Sequence, residues 1–231
     1  MTSFTETFEK CGICGTFTKH MVMLSTNSFG SPDLDLRPPG MKRHTMDEWL
    51  QECPKCGYVS VFIGEIKEGV REIVEGEEYS ALHTGPLSGT LANRFLKASL
   101  ISECLGNRKG AGTYALYAAW AADDVGDRAT ARTARLKAAE HYMGVASRLE
   151  KRDPTSTRAI TLKTQTVDIL RRSGRWEEAE QLADSLSEQQ IDAKIKAVIN
   201  FQKSLLRQRN DSPHRVNDII NIDERNKINS Q

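Results

Sequence analysis

The 231-residue chain has no apolar run long enough to cross a bilayer, and aromatic residues make up only 6% of it. A membrane-spanning helix needs about 20 predominantly apolar residues, so the sequence predicts no membrane segment. The opening stretch, MTSFTETFEK, lacks the basic flank and apolar core of a secretory signal. We therefore expect a cytoplasmic protein whose thiols stay reduced.

The chain also lacks a strong net charge, because its formal charge is only +1. The basic and acidic side chains are nevertheless unevenly distributed along the chain. Residues 128–175 contain 12 basic and 4 acidic side chains, whereas residues 176–193 contain six acidic side chains and no Lys or Arg. A basic stretch of this kind could track phosphates, or it could be a solvated face that meets acidic neighbours.

Five cysteines are an odd number, which argues against a disulfide framework. Four of them form two CxxC pairs, Cys11 with Cys14 and Cys53 with Cys56. Each CxxC turn directs two sulfurs to one point, and four thiolates complete the tetrahedral shell of zinc. The pattern predicts one structural Zn²⁺ per chain, with no open position for catalysis.

Other uses of the cysteines and histidines are less well supported by the sequence. A redox CxxC opens a helix in a βαβ unit, and no such unit is evident. His20 and His44 could replace a zinc ligand, but four thiolates suffice, so we interpret both as surface or loop histidines. Cys104 lies in an apolar helical stretch and is interpreted as an inert buried thiol.

The sequence predicts a mainly α fold with a small zinc-ribbon-like module at the N-terminus. Short strands are expected at 16–24 and 57–62, and a short helix at 45–51 with Thr45 and Glu48 as a capping box. Helical spacing of apolar residues begins near Gly64. The further helices are expected at 87–105, 110–125, 128–150, 155–173, 176–188 and 190–209.

Two helix joints resemble each other. Gly126 is followed by Ala131, and Gly174 by Ala179, five residues on in both cases. A glycine ends the first helix in a left-handed cap, and the small alanine lets the second helix pack closely. This arrangement is typical of a tetratricopeptide helix hairpin, although the two joints are 48 residues apart, which exceeds the usual repeat length of about 34 residues. The alternative is two unrelated antiparallel helix pairs.

The combination of an N-terminal CxxC, the segment SFGSPDLDLRPPGMKRHTMDEWLQ, the motif CPKCGY and the helices that follow resembles a family of uncharacterised bacterial proteins. That resemblance implies metal binding and a helical scaffold, and no established activity or substrate. We accordingly expect a zinc-knuckle module at 1–62, an antiparallel, tetratricopeptide-like helical domain at 63–220 and a polar tail at 221–231.

The segment DLDLRPP presents two carboxylates, Asp33 and Asp35, on one side of an extended strand. Paired carboxylates could bind a hard cation or perform acid–base chemistry, as in a metal-dependent hydrolase. Because no third carboxylate or nucleophile accompanies them, we favour structural ion pairs with Arg37 and Arg43.

Taken together, these patterns favour a zinc-containing, non-enzymatic adaptor or scaffold that binds a protein or peptide through its helical array. No small-molecule substrate is evident. The alternative is a nucleic-acid-binding accessory protein that uses the basic helices. Six arginines are the candidate partner contacts: Arg128, Arg132, Arg135, Arg171, Arg172 and Arg175.

Overall fold

A computed structural model describes residues 2–219, and it is mainly α-helical with short strands near the N-terminus. This confirms the predicted fold class at that level. The predicted polar tail at 221–231 lies outside the described residues. Among the described residues, no helix combines the length and the apolar character needed to cross a membrane.

Two antiparallel ribbons contain the strands. The first joins β1 to β2, and the second joins the short strands β3 and β4. The bounds are Ser3–Lys10 for β1, Phe17–Ser25 for β2, Gln51–Glu52 for β3 and Val59–Ser60 for β4. The strand predicted at 16–24 is confirmed, whereas the one predicted at 57–62 is only two residues long. β1 was not predicted from the sequence, although its alternation of apolar and polar residues is typical of a strand.

The six helices predicted after residue 87 are present, whereas a helix at Gly40–Arg43 was not predicted and the stretch expected to be helical from Gly64 forms two short helices. The helix bounds are Gly40–Arg43 for α1, Val70–Glu75 for α2, Glu77–Thr84 for α3, Leu91–Cys104 for α4, Arg108–Asp124 for α5, Arg128–Arg152 for α6, Thr157–Arg172 for α7, Trp176–Ser187 for α8 and Ala193–Arg207 for α9. The helix expected at 45–51 is a single 3₁₀ turn over Met46–Glu48, and Thr45 makes no side-chain cap bond there. The Thr45 hydroxyl instead accepts a bond from the Trp49 indole at 2.9 Å, so the capping-box prediction is wrong.

The chain divides into two compact units. The first comprises Met1–Phe29 and Gly40–Ala138, and the second comprises Gly30–Pro39 and Ala139–Gln231. All four CxxC cysteines lie in the first unit, together with α1 to α5. The boundary predicted at residue 62 stays a prediction.

The core of the first unit contains apolar faces of α4 and α5 together with an aromatic cluster. Trp49 packs edge-on against Phe95 and Tyr117, with ring centroids 6.4 and 4.9 Å away. Trp49 therefore anchors the loop before β3. In the second unit, a separate cluster joins Leu34 to Phe201 and Leu205 of α9.

Candidate metal centre

The two CxxC turns have the same backbone geometry. In the first turn, the Cys11 amide donates to the Thr16 carbonyl, and the Gly15 amide donates to the Cys11 carbonyl. In the second turn, the Cys53 amide donates to the Tyr58 carbonyl, and the Gly57 amide donates to the Cys53 carbonyl. All four N···O distances are 2.9 Å. The glycines, Gly15 and Gly57, have φ of 71° and 69°, in the left-handed region that a side chain disfavours. We call these turns the first and second knuckle.

The four sulfurs converge on one point. Cys11 Sγ lies 3.6 Å from Cys56 Sγ, and Cys14 Sγ lies 3.5 Å from Cys53 Sγ. All four lie within 4.8 Å of one another. A tetrahedral ion with metal–sulfur bonds of about 2.3 Å places its sulfurs about 3.8 Å apart. The distances therefore fit a metal tetrathiolate, and they are too long for disulfide bonds of about 2 Å.

The environments of the thiols differ. A hydrogen bond with the Thr16 side chain, 3.3 Å from the sulfur, lowers the pKa of Cys14 to about 6. Burial instead raises the pKa of Cys53 and of Cys56. At neutral pH the metal-free site therefore holds thiolate and thiol side by side, and a bound cation must displace protons from the buried members.

No histidine is needed to complete the set. Cys11 and Cys53 are buried, while Cys14 and Cys56 are partly exposed. His20 lies within β2, where its Nε2 is 2.6 Å from Thr18 Oγ1. Burial lowers the pKa of His20. A closed shell of four protein sulfurs leaves no coordination position for a substrate.

Side chains from α2 and α3 hold the knuckles from outside. Arg71 of α2 donates to the carbonyls of Ile13 and Gly12 at 2.9 and 3.2 Å. The Tyr79 hydroxyl of α3 donates to the Gly57 carbonyl at 2.8 Å. Each knuckle is therefore tied through its backbone to one helix of the first unit.

A buried lysine lies beside the second knuckle. Lys97 of α4 is fully buried, and its Nζ lies 2.7 Å from a Glu52 carboxylate oxygen and 3.2 Å from Nδ1 of His83. A Cβ built on Gly57 would come within 2.4 Å of the same His83 nitrogen. The ion pair compensates the desolvation of the lysine, and it links β3 to α4.

Sequence reasoning missed these supporting side chains. Arg71 and Tyr79 occur in a helical stretch that looks like an ordinary amphipathic surface. One signal was available in KASLIS, because Lys97 interrupts an otherwise apolar helix face. A buried lysine requires a partner, and Glu52, adjacent to Cys53, is that partner.

The six candidate arginines do not form one surface. Arg135 is buried and paired with Asp123 of α5. In the second unit, Arg171 is fully buried and lies 2.6 Å from Asp168. The Arg172 side chain lies 3.0 Å from Asp35. Arg175 is exposed and pairs with Glu178. Arg128 and Arg132 are also exposed. Two of the six are therefore buried and paired with carboxylates inside the protein.

Most of the DLDLRPP segment is buried within the second unit. Asp35 is fully buried, accepts a bond from the Arg37 amide at 3.2 Å and pairs with Arg172. Its carbonyl accepts a 2.6 Å bond from Gln165 Nε2 of α7. The segment thus has a structural ion pair, with Arg172 as the observed partner. The predicted pairs with Arg37 and Arg43 stay predictions.

Cys104 differs from its predicted state. It is the last residue of α4 and is exposed, because the helix ends there and turns that position away from the core. The prediction of a buried thiol is wrong. Its pKa is nevertheless raised by partial desolvation.

Comparison of the chain with family models, with curated proteins and with solved structures finds no match. The resemblance to a bacterial family with a zinc-knuckle module therefore stays a prediction. What the geometry supports is a cluster of four cysteines that could hold a metal ion.

Proposed function

We propose that the protein is a zinc-containing scaffold of the bacterial cytosol, in which one structural Zn²⁺ per chain organises the first unit and the helices bind a partner protein. A single observation carries the metal part of this proposal. Four thiol sulfurs from two matched knuckles lie within 4.8 Å of one another. A closed shell of four sulfurs leaves no coordination position for a substrate, so we propose no enzymatic reaction at the metal.

Zinc is the best fit to this donor set. Four thiolates in a tetrahedral arrangement select zinc or iron–sulfur chemistry. In a closed tetrathiolate site, zinc is structural and supplies folding free energy. The β-ribbons beside the knuckles are too short to supply a core alone, so a metal explains how this region is stabilised.

X-ray absorption of the purified protein tests the metal assignment. We expect a zinc edge and four sulfur scatterers at about 2.3 Å. An iron edge would contradict zinc. A nitrogen or oxygen scatterer in the first shell would contradict a closed structural site, because it would mean that a water or a histidine replaces one thiolate.

The partner part of the proposal is supported by a groove in the first unit. A cavity of about 600 Å³ lies between the segment after β4 and helix α4. Its lining includes four apolar side chains that are exposed to solvent: Val61, Phe62, Ile66 and Leu105. Grooves of this kind accept the apolar side chains of an extended or helical peptide. We place the partner's peptide there.

Affinity capture from native lysate, with and without nuclease treatment, tests the partner proposal. Phe62→Ser should reduce capture of a protein partner, since it removes an apolar contact from the groove. Val125→Ser is the matched control, because Val125 is also exposed but does not line the groove. Equal capture by both variants would contradict the groove, and loss of capture on nuclease treatment would favour the nucleic-acid alternative.

A further inference from the structure

Another cavity in the first unit combines apolar walls with a few polar side chains. It has a volume of about 350 Å³, and its lining comes from β2, from residues 42–51, from residues 61–62 and from α5. Met21 and Met23 of β2 contribute to the apolar part of the wall, together with the rings of Trp49 and Tyr117. Cavities of about 300–1,000 Å³ with walls of this kind are typical of small-molecule sites.

Gln51 brings a buried, unpartnered donor to this wall. The residue is only 5% exposed, and its side chain lines the cavity. Its Oε1 accepts a 2.9 Å bond from the Ile63 amide, which fixes the orientation of the side-chain amide group. The Nε2 atom has no hydrogen-bond partner among the described residues. A buried N–H without an acceptor is costly, and an oxygen of a bound ligand would supply the acceptor.

Two side chains of opposite charge, Glu48 and Lys42, line the same cavity. Glu48 was expected to complete a capping box, but the Thr45 amide donates to the Lys42 carbonyl at 3.2 Å instead. Within the described part of the chain, neither the Glu48 carboxylate nor the Lys42 ammonium makes a hydrogen bond or an ion pair. Burial raises the pKa of Glu48, because its negative charge is poorly compensated by the protein. The cavity therefore has one uncompensated charge of each sign.

We propose that this cavity binds an apolar α-amino acid. The Glu48 carboxylate receives the ammonium group of the ligand, while Lys42 and Gln51 Nε2 donate to its carboxylate. The apolar side chain of the ligand packs against Trp49 and the two methionines of β2. An anionic ligand without an ammonium group would be repelled by Glu48 and would leave its charge uncompensated. A zwitterion compensates both charges of the cavity and also supplies the acceptor that Gln51 lacks.

Titration calorimetry of the metal-loaded full chain with phenylalanine, leucine and methionine tests the proposal. We expect saturable binding of at least one of them, with a dissociation constant below about 1 mM. The analogue that lacks the ammonium group and the analogue that lacks the carboxylate should each bind at least about tenfold more weakly. For phenylalanine these analogues are phenylpropanoate and phenylethylamine. The proposal is overturned if none of the three amino acids binds, or if either analogue binds as tightly as the amino acid.

Two variants assign the charges to their residues. Glu48→Gln should abolish the preference for the amino acid over the analogue without an ammonium group, and Lys42→Met the preference over the analogue without a carboxylate. Lys109→Met is the matched control, because Lys109 is an exposed lysine of α5 that does not line the cavity. Helical circular dichroism and metal content should be unchanged in all three variants. Preferences that survive in Glu48→Gln and Lys42→Met, or that are lost in Lys109→Met, would contradict the site.

The outcome is independent of the partner proposed above. Val61 and Phe62 line both this cavity and the groove proposed for the partner's peptide, and the experiment leaves both residues unchanged. Glu48 and Lys42 do not line that groove. Failure of amino-acid binding would therefore remove this site without removing the scaffold proposal, and failure of partner capture would not remove this site.

Discussion

At the scale of single residues, the two knuckle glycines offer a matched test of the site's geometry. Gly15 and Gly57 share a left-handed φ, but a Cβ on Gly15 would meet only Lys10 Cε at 3.6 Å. A Cβ on Gly57 would lie 2.4 Å from His83 Nδ1. The two positions therefore differ in steric space and not in backbone conformation.

We expect Gly15→Ala to lower the free energy of unfolding by about 1–2 kcal/mol, the cost of a left-handed conformation for a residue with a Cβ. Gly57→Ala should lower it further, because His83 must move away from Lys97. Thermal unfolding of both metal-loaded variants measures the difference. Equal losses would show that the second knuckle does not pack against His83 as described.

The raised pKa values of Cys53 and Cys56 predict a pH dependence of metal binding. At about pH 7 the Cys14 thiol, with its pKa of about 6, is already ionised, whereas the Cys53 and Cys56 thiols are protonated. Binding must release those two protons, so affinity falls as the pH falls. Titration calorimetry in two buffers of different ionisation enthalpy counts the protons.

We expect at least two protons to be released per ion bound near neutral pH. The same titration at a more alkaline pH should release fewer, because the thiols are then partly ionised before the metal arrives. An enthalpy that is identical in the two buffers would mean that the thiols are already ionised, and would contradict the described burial.

At the scale of elements, the sequence predicts the helices well because their joints have strong local signals. Gly106, Gly126 and Gly174 each have φ between 71° and 75° and end a helix. Each is followed five residues later by an alanine that is buried: Ala111, Ala131 and Ala179. Only the joints at Gly126 and Gly174 were predicted to resemble each other, although Gly106 has the same glycine-to-alanine spacing.

The elements that the sequence did not predict depend on distant contacts. The Thr45 hydroxyl was expected to cap a helix, but it bonds to the Trp49 indole, which itself packs on α4 and α5. Trp49 is only four residues from Thr45, but Phe95 and Tyr117, which hold its ring, are distant in sequence, and local spacing cannot reveal them. In the same way, CxxC spacing predicted the four ligands, while nothing local identifies Arg71 or Tyr79 as residues that hold the knuckles.

Helix α2 makes a testable contribution to the metal centre. Arg71→Gln should shorten the reach of the side chain and weaken its bonds to the first-knuckle carbonyls, which position Cys11 and Cys14. Loss of a residue that supports metal ligands typically costs about 10–100-fold in affinity, and we expect the low end because Arg71 acts through backbone. Zinc transfer to a chromophoric chelator measures the change.

Glu75→Gln is the control for that experiment. Glu75 pairs with Arg71 at 3.6 Å, but both side chains are about half exposed, and such pairs contribute little. Zinc retention in Glu75→Gln should match wild type. Equal retention in Arg71→Gln and wild type would mean that the knuckle holds its shape without α2.

At the scale of the whole molecule, the division into two units changes what metal removal should do. The cysteines belong to the same unit as α2 to α5, and contacts from Arg71, Tyr79 and the Lys97–Glu52 pair connect the knuckle region to α2, α3 and α4. Chelation should therefore lower the protection of those helices, in addition to the strands. The helices α7, α8 and α9 belong to the other unit.

Amide hydrogen exchange with and without a chelator measures this effect. We expect faster exchange in β3, β4, α2 and α3, a smaller increase in α4, and little change in α7 to α9. Faster exchange confined to residues 1–62 would support the module boundary predicted from the sequence. A uniform increase along the chain would contradict two units of separate stability.

The central claim is that Cys11, Cys14, Cys53 and Cys56 hold one metal ion, and the metal content of purified protein tests it most directly. Wild type should contain one zinc per chain. Cys104→Ser should keep that content, because Cys104 is exposed and outside the cluster, whereas Cys53→Ser should lose most of it. A well-folded wild-type chain without metal, or a Cys53→Ser variant that retains a full equivalent, would contradict the account.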